Sequence, residues 1–247
     1  MKGSAIIIGA SQGLGRALAY RLAEHGTNCI LASRNEEGLW DMARDLTEKH
    51  KIKVVVLPVN LETLDASGAA KFVEQSCIEL NDLDKVFVTA GYVSEADDGP
   101  GAKNILDKTN AINYRGPALL LSAFSEKLKD QVATLAAVSS IAAIRPRGKN
   151  IGYAASKIAL EYHVKGLAHF FSRQSLRFQI YRVGYMDTGM SAGKKLAFRK
   201  EDPSRVATFM IKQLGSQKKL FYYPRYWRFI AWILGLIPWF IYKKLRF

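Results

Sequence analysis

Cysteine, histidine, acidic residues and long apolar runs are all in short supply in this chain. Cys29 and Cys77 are the two cysteines, both in apolar surroundings, which predicts buried, reduced thiols rather than a disulfide scaffold. His25, His50, His163 and His169 form no ligand-like cluster and no zinc spacing is present, so a metal centre is not expected. The Ile6-Ile7-Ile8 run is too short for the core of a signal peptide and ends in glycine. The amino-terminal side is therefore expected in the cytosol. The most extended uncharged stretch near the carboxyl terminus, residues 229–242, would make about 21 Å of helix against a hydrocarbon core about 30 Å thick. A single membrane pass is not expected from it.

Acids are outnumbered 22 to 36 by lysine and arginine, a net charge of +14. Half of that excess lies between Lys218 and Phe247, which hold seven basic residues and no acid. Such asymmetry points to an anionic partner surface. No nucleic-acid recognition motif accompanies it, so lipid is the expected partner and nucleic acid is not.

With 49% hydrophobic content, 247 residues can bury a full core in one α/β domain. Short apolar runs at residues 4–8, 28–32, 53–59, 85–89, 135–138, 177–183 and 219–223 read as strands. Helical patterns alternate with them, at 17–25, 36–50, 63–78, a long region at 103–128 interrupted near Gly116-Pro117, and 203–214. Alternation of this kind predicts a doubly wound parallel sheet of the Rossmann type in residues 1–223. Ligands of such sheets sit at the strand ends.

At the first strand end stands Gly9-Ala-Ser11-Gln12-Gly13-Leu14-Gly15, leading into a helix. Glycines let a backbone approach closely and a helix amino terminus offers unpaired N–H groups, together a cradle for phosphate. The second strand ends in Ser33-Arg34 where dinucleotide folds commonly carry an acid. A guanidinium beside a small hydroxyl suits a ribose 2′-phosphate, which predicts NADPH over NADH. Asn60 and Leu61 at the third strand end and Ala90-Gly91 at the fourth complete the expected crevice.

The chemistry is expected between Ser139-Ser140, at the end of an apolar strand, and Tyr153-Ala-Ala-Ser-Lys157, on the helix that follows. Tyr153 and Lys157 lie four residues apart on one helix face, so the ammonium is expected to lower the pKa of the phenol. Alone the pair would occur roughly once by chance in this composition. The serine pair and the following helix give it weight, because a hydroxyl, a phenol and an amine together are what carbonyl reduction needs. Asn113 interrupts an apolar helical pattern, and by itself reads as a backbone brace.

Gly9-x-x-x-Gly13-x-Gly15, Ala90-Gly91, Asn113, Ser140, Tyr153 and Lys157 together resemble the short-chain dehydrogenase/reductase family over nearly the whole chain. The resemblance implies that Ser140 bonds the substrate carbonyl, Tyr153 donates the proton, Lys157 tunes Tyr153 and holds the nicotinamide ribose, and Asn113 places a water. It also implies that Gly184 and Thr188 meet the cofactor. Three positions depart from the family pattern: Thr89 for asparagine, Asn60 for aspartate, and Val183 for proline.

Residues 187–200 are expected to cover the substrate, with Met190, Lys194, Lys195 and Phe198 among them. Arg145, Arg147 and Lys149 are expected near the cleft mouth, either as a solvated rim or as a grip on a substrate phosphate. The segment 224–247 carries Trp227, Trp232, Trp239 and Tyr242 between basic flanks and is interrupted by Pro238. It reads as an interfacial membrane anchor, or else as a helix in a homodimer interface. Its Tyr-Pro-x-x-Trp-Arg pattern, with Thr188-Gly-Met190-Ser191, is similar to the branch containing the decaprenylphosphoryl-keto-pentose reductases. That implies a lipid-linked keto-sugar substrate. A 3-ketosphinganine or β-ketoacyl lipid is the alternative substrate, and a non-catalytic NADPH-binding membrane protein the alternative role.

Overall fold

Ser4–Ile8, strand β1, is buried at every position, and its side chains divide the protein in two. In this computed structural model, which describes residues 3–94, 97, 103–189 and 198–245, Ala5 and Ile7 enter one core while Ile6 and Ile8 enter the other. The strands β2 (Cys29–Ala32), β3 (Val54–Val56), β4 (Leu83–Val88), β5 (Ala133–Ser140), β6 (Leu176–Val183) and β7 (Leu220–Tyr223) join it in one sheet. All pairs are parallel, in the order β3-β2-β1-β4-β5-β6-β7. Every strand is a short apolar run because both faces of the sheet are covered.

Helices α1 (Gly13–Glu24), α2 (Glu37–His50) and α7 (Pro203–Lys212) cover one face. Their apolar residues recur at helical spacing, as Leu39, Met42, Ala43 and Leu46 do in α2. Helices α3 (Ala66–Glu79), α5 (Gly116–Lys127) and α6 (Ile151–Phe170) cover the other. Asp65 and Asp202 cap α3 and α7 by accepting from the N–H groups of Gly68 and Ser204.

Two elements differ from the sequence expectation. Strand β3 is three residues rather than seven because Pro58 has no N–H to give; backbone bonds from Leu57 to Leu31 and from Val59 to Ser33 continue the pairing irregularly around it. The long region after Lys103 is α4 (Lys103–Asn110) and α5 joined by a π-helical stretch, Ala111–Arg115. Pro117 cannot donate to the preceding turn, so the chain widens there instead of stopping.

Beyond β7 the chain forms α8 (Trp227–Leu236) and the single turn α9 (Trp239–Tyr242), separated at Pro238. Among the described residues, no helix is long and apolar enough to cross a membrane. Cys29 and Cys77 are free thiols; Cys29 is buried as expected, which pushes it up to about 12, whereas Cys77 is only partly buried.

Candidate active site

The sheet order reverses at β1 and β4, the switch point beyond whose carboxyl strand ends the ligand crevice of such folds lies. Gly9 leaves β1 with φ of +96°, and a Cβ there would stand 2.6 Å from the Ala90 nitrogen. A Cβ on Gly15 would stand 2.0 Å from the Gly9 carbonyl oxygen, so both positions require glycine. The Thr89 hydroxyl, at the position where the family pattern has asparagine, donates to the carbonyls of Ile8 (2.9 Å) and Gly9 (3.2 Å) and braces the turn. Ser11 and Gln12 stand on this turn, and Gln12 at the amino end of α1 makes no side-chain cap. The first turn, Gly13 to Gly15 with buried Leu14, holds no acid, so its N–H groups fit an anion such as a diphosphate.

The adenosine side also fits. Ser33 is buried and its hydroxyl accepts from the Asn35 N–H at 3.2 Å, turning the chain so that Arg34 stands outside. Arg34 is exposed and lies 3.8 Å from Glu62, which Lys108 approaches at 3.9 Å. Such an exposed pair is weak and can yield to a phosphate. Asn60 accepts from the Glu62 N–H at 3.1 Å through its oxygen, which aims its amide nitrogen elsewhere, and Leu61 beside it is buried. On the nicotinamide side Thr188 packs against Gly13, its methyl 3.1 Å from where a Cβ on that glycine would be. Gly184 lies against the indole of Trp227.

Ser140 ends β5, and its hydroxyl accepts from the Ala142 N–H at 3.1 Å and bonds the Tyr153 phenol. Tyr153 and Lys157 come off the first turns of α6, whose amino terminus is held by a residue the sequence reading missed. Asp97 is buried and accepts from the N–H groups of Gly152 (3.1 Å) and Tyr153 (2.9 Å). Gly91 follows Ala90, whose carbonyl accepts from Lys157 at 3.3 Å; the Val138 carbonyl accepts from the same ammonium at 3.1 Å. The chain after β4 and the end of β5 thus hold the buried ammonium between them.

The structure reverses one expectation about this pair. Burial pushes the Tyr153 phenol above its ordinary value, against the Ser140 hydrogen bond and the Arg147 charge that pull it down. The Lys157 ammonium stands 6.0 Å from the Tyr153 ring centre and points at carbonyls, which is why it does not lower the phenol here. Burial draws Lys157 itself down to about 8, partly offset by the Glu161 carboxylate one turn on. Glu161 is fully buried and holds Arg182 of β6 with two bonds (2.7 and 2.6 Å) while accepting from Ser139 at 2.6 Å. That knot ties α6 to β5 and β6 directly behind the catalytic face.

Asn113 is the brace its residue type suggested. Its oxygen accepts from the Tyr92 N–H at 2.7 Å, and its nitrogen donates to the Tyr92 carbonyl (2.8 Å) and to Ser156 (3.1 Å). The widened π-helical turn places this fully buried amide against the loop after β4 and against α6.

The three loop cations do not act alike. Arg145 donates to the carbonyls of Leu234 and Ile237, the latter at 2.6 Å, and lies 4.3 Å over the Tyr242 ring. It is therefore committed to the unpaired carboxyl end of α8 and withdrawn from any substrate phosphate. Arg147 has a buried Nε with no hydrogen-bond partner among the described residues, whereas Lys149 is exposed. On the other side of the cleft, Phe198 packs on Trp227 at 4.7 Å. Met190, Lys194 and Lys195 lie outside the described residues. The carboxyl-terminal segment thus rests on both loops that frame the crevice, those after β5 and β6.

A sequence profile described as short chain dehydrogenase matches residues 4–197. The chain belongs to the short-chain dehydrogenase family. Members of this family are NAD(P)-dependent oxidoreductases acting between alcohols and carbonyls, and the chain is an enzyme of that class. It is 27% identical over 174 residues to an L-xylulose reductase of Caenorhabditis elegans, covering 70% of this chain and 67% of the relative. It is 25% identical over 239 residues to a very-long-chain 3-oxoacyl-CoA reductase of Anas platyrhynchos, covering 95% and 75%. A short-chain dehydrogenase from Sphingobium yanoikuyae solved in complex with NADPH superposes with a TM-score of 0.81 at 18% identity, covering 96% of this chain and 97% of the other.

Proposed function

We propose that this enzyme is an NADPH-dependent ketone reductase at the cytoplasmic face of a membrane, with a lipid-linked keto-sugar as substrate. The observation that carries the catalytic part is the Tyr153 phenol, hydrogen-bonded to Ser140 and set one helical turn from a buried Lys157. A protonated phenol near neutrality is a proton donor. Bound NADPH supplies the hydride. Ser140 orients the ketone oxygen, and Tyr153 delivers its proton to that oxygen as charge builds there. Lys157 would bond the nicotinamide ribose, while Asn113 keeps the loop after β4 and α6 in register. Gly9, Gly13 and Gly15 cradle the diphosphate and Arg34 with Ser33 meets the 2′-phosphate.

Support for the membrane part comes from residues 224–247. Trp227, Ile230, Ala231 and Leu234 of α8 face the domain, while Phe229, Trp232, Ile233 and Leu236 form an exposed stripe at the same spacing. Trp239 and Phe240 extend it and Lys243 and Lys244 flank it, the composition of an interfacial anchor. A stripe of that size also suits a homodimer contact, which vesicle binding would compete with. The unpartnered Nε of Arg147 beside Tyr153 favours a substrate with a phosphate near the ketone.

A second reading, a β-ketoacyl or 3-ketosphinganine reductase, is favoured by the withdrawal of Arg145 from the cleft and by the name of the Anas platyrhynchos relative. Turnover separates the two. NADPH oxidation should be fastest with a polyprenyl-phosphate keto-sugar presented in anionic vesicles. Preference for 3-ketosphinganine would transfer the function to the second reading, and binding of NADPH with no turnover of any ketone would contradict both.

A further inference from the structure

A groove lies away from Ser140, Tyr153 and Lys157. On the α6 side of the sheet, where β6 and the edge strand β7 run beneath α8, this groove of about 500 Å³ is lined by Arg182, Lys218, Leu220, Tyr222, Arg228 and Trp232, among others. Its lining includes three cations and no carboxylate. The charge of Arg182 is already met from behind by buried Glu161, at 2.7 and 2.6 Å. Lys218 and Arg228 have no carboxylate within ion-pair distance among the described residues, so two positive charges are left uncompensated in the groove. Lys218 rests 5.2 Å over the Phe221 ring, a weak contact at an exposed position that a phosphate can replace.

Tyr222 adds a directed donor. Its oxygen accepts from Arg182 at 2.7 Å, which holds the ring in place and leaves its own hydrogen without an acceptor among the described residues. At the same groove stands Trp232, 61% exposed and continuous with the outward stripe of Phe229, Ile233 and Leu236. A small aqueous anion would use the cations and the hydroxyl but has no use for the indole and the stripe. An amphiphile with an anionic head uses both.

We propose that this groove is a headgroup site for an anionic membrane phospholipid, separate from the catalytic crevice. Lys218, Arg228 and the Tyr222 hydroxyl hold the phosphate, and the acyl chains run beside Trp232 and the outer face of α8. The site rests on the membrane reading given above and sharpens it: attachment is to one lipid held in one place, which fixes the side of the domain turned to the bilayer.

The test is flotation of the full chain with vesicles of phosphatidylcholine alone or mixed with phosphatidylglycerol. Two charge-reversed pairs are compared, Lys218→Glu with Arg228→Glu in the groove, and Lys243→Glu with Lys244→Glu on the same tail. The groove pair should lower binding to the anionic vesicles about tenfold more than the tail pair and remove the preference over phosphatidylcholine. Reduction of a soluble ketone and the thermal midpoint should be unchanged in both. Equal losses for the two pairs would mean diffuse attraction and overturn the site while leaving the membrane reading intact. A wild type that ignores every vesicle would overturn both. Inorganic phosphate that stabilises the wild type at millimolar concentration, but not the groove pair, would assign the groove to a soluble phosphate and also overturn the lipid assignment.

Discussion

The carboxylate of Asp97 accepts the backbone N–H of Tyr153 at 2.9 Å, so the residue that caps helix α6 is bonded to the main chain of its proton donor. A second bond from the Gly152 N–H fixes the orientation of that turn. A carboxylate at a helix amino terminus satisfies orphan donors and meets the positive end of the dipole.

Replacing Asp97 with alanine should therefore cost about 1–3 kcal/mol of stability, because it leaves buried N–H groups unpaired. It should also lower kcat more than it raises KM, since the phenol would no longer be held against Ser140 while the cofactor cradle at Gly9 to Gly15 is untouched. Denaturant melts and steady-state kinetics on one preparation check both. Unchanged stability would mean the cap contributes nothing.

Arg145 ties the carboxyl-terminal helix to the loop after β5. Arg145→Ala removes two charge-assisted bonds to helix carbonyls and the stacking on Tyr242, and should loosen the tail by about 2 kcal/mol. Limited proteolysis near residues 224–238 should speed up while the core stays intact. A cleavage rate equal to that of the wild type would contradict the clasp.

Lys157 makes a prediction in pH. Its folded value lies near 8, below its ordinary 10.5, so between those two the unfolded chain binds more protons than the folded one. Stability contributed through this group therefore rises with pH across that window, and below pH 8 the full cost of burying the ammonium is present. Without cofactor, the wild type should gain up to about 3 kcal/mol relative to Lys157→Met between pH 8 and 10.5. A parallel pair of stability curves would show that Lys157 titrates at its ordinary value.

Arg34 carries the cofactor preference. Arg34→Glu should weaken NADPH by about tenfold to a hundredfold while changing NADH little, as expected for loss of a charge-assisted bond to one phosphate. Competition binding with the two cofactors reads this directly. Equal losses for both would show that Arg34 does not meet the 2′-phosphate.

Much of the site could be read locally. Gly9 to Gly15 sits between a strand and a helix, Tyr153 and Lys157 are one helical turn apart, and Ser140 ends an apolar run; each of these is a short-range pattern. The alternation of runs gave the parallel sheet for the same reason. What escaped depends on distant pairing. Asp97 meets Gly152 and Tyr153 across more than fifty residues from a loop without periodicity, and Glu161, though four residues after Lys157, finds Arg182 only once α6 packs on β6. Arg145 was visible as a cation near the cleft, but its carbonyl partners belong to a helix about ninety residues on. The sign of the Tyr153 shift was missed because residue spacing places a lysine nearby without saying which atoms its ammonium faces.

The most direct measurement is single-turnover reduction of a ketone by wild type and Tyr153→Phe, with NADPH affinity measured on the same samples. Loss of the phenolic proton donor should slow hydride transfer by at least about a hundredfold with NADPH binding nearly unchanged. A Tyr153→Phe enzyme that still reduces the ketone at the wild-type rate would contradict the assignment of Tyr153 as the proton donor.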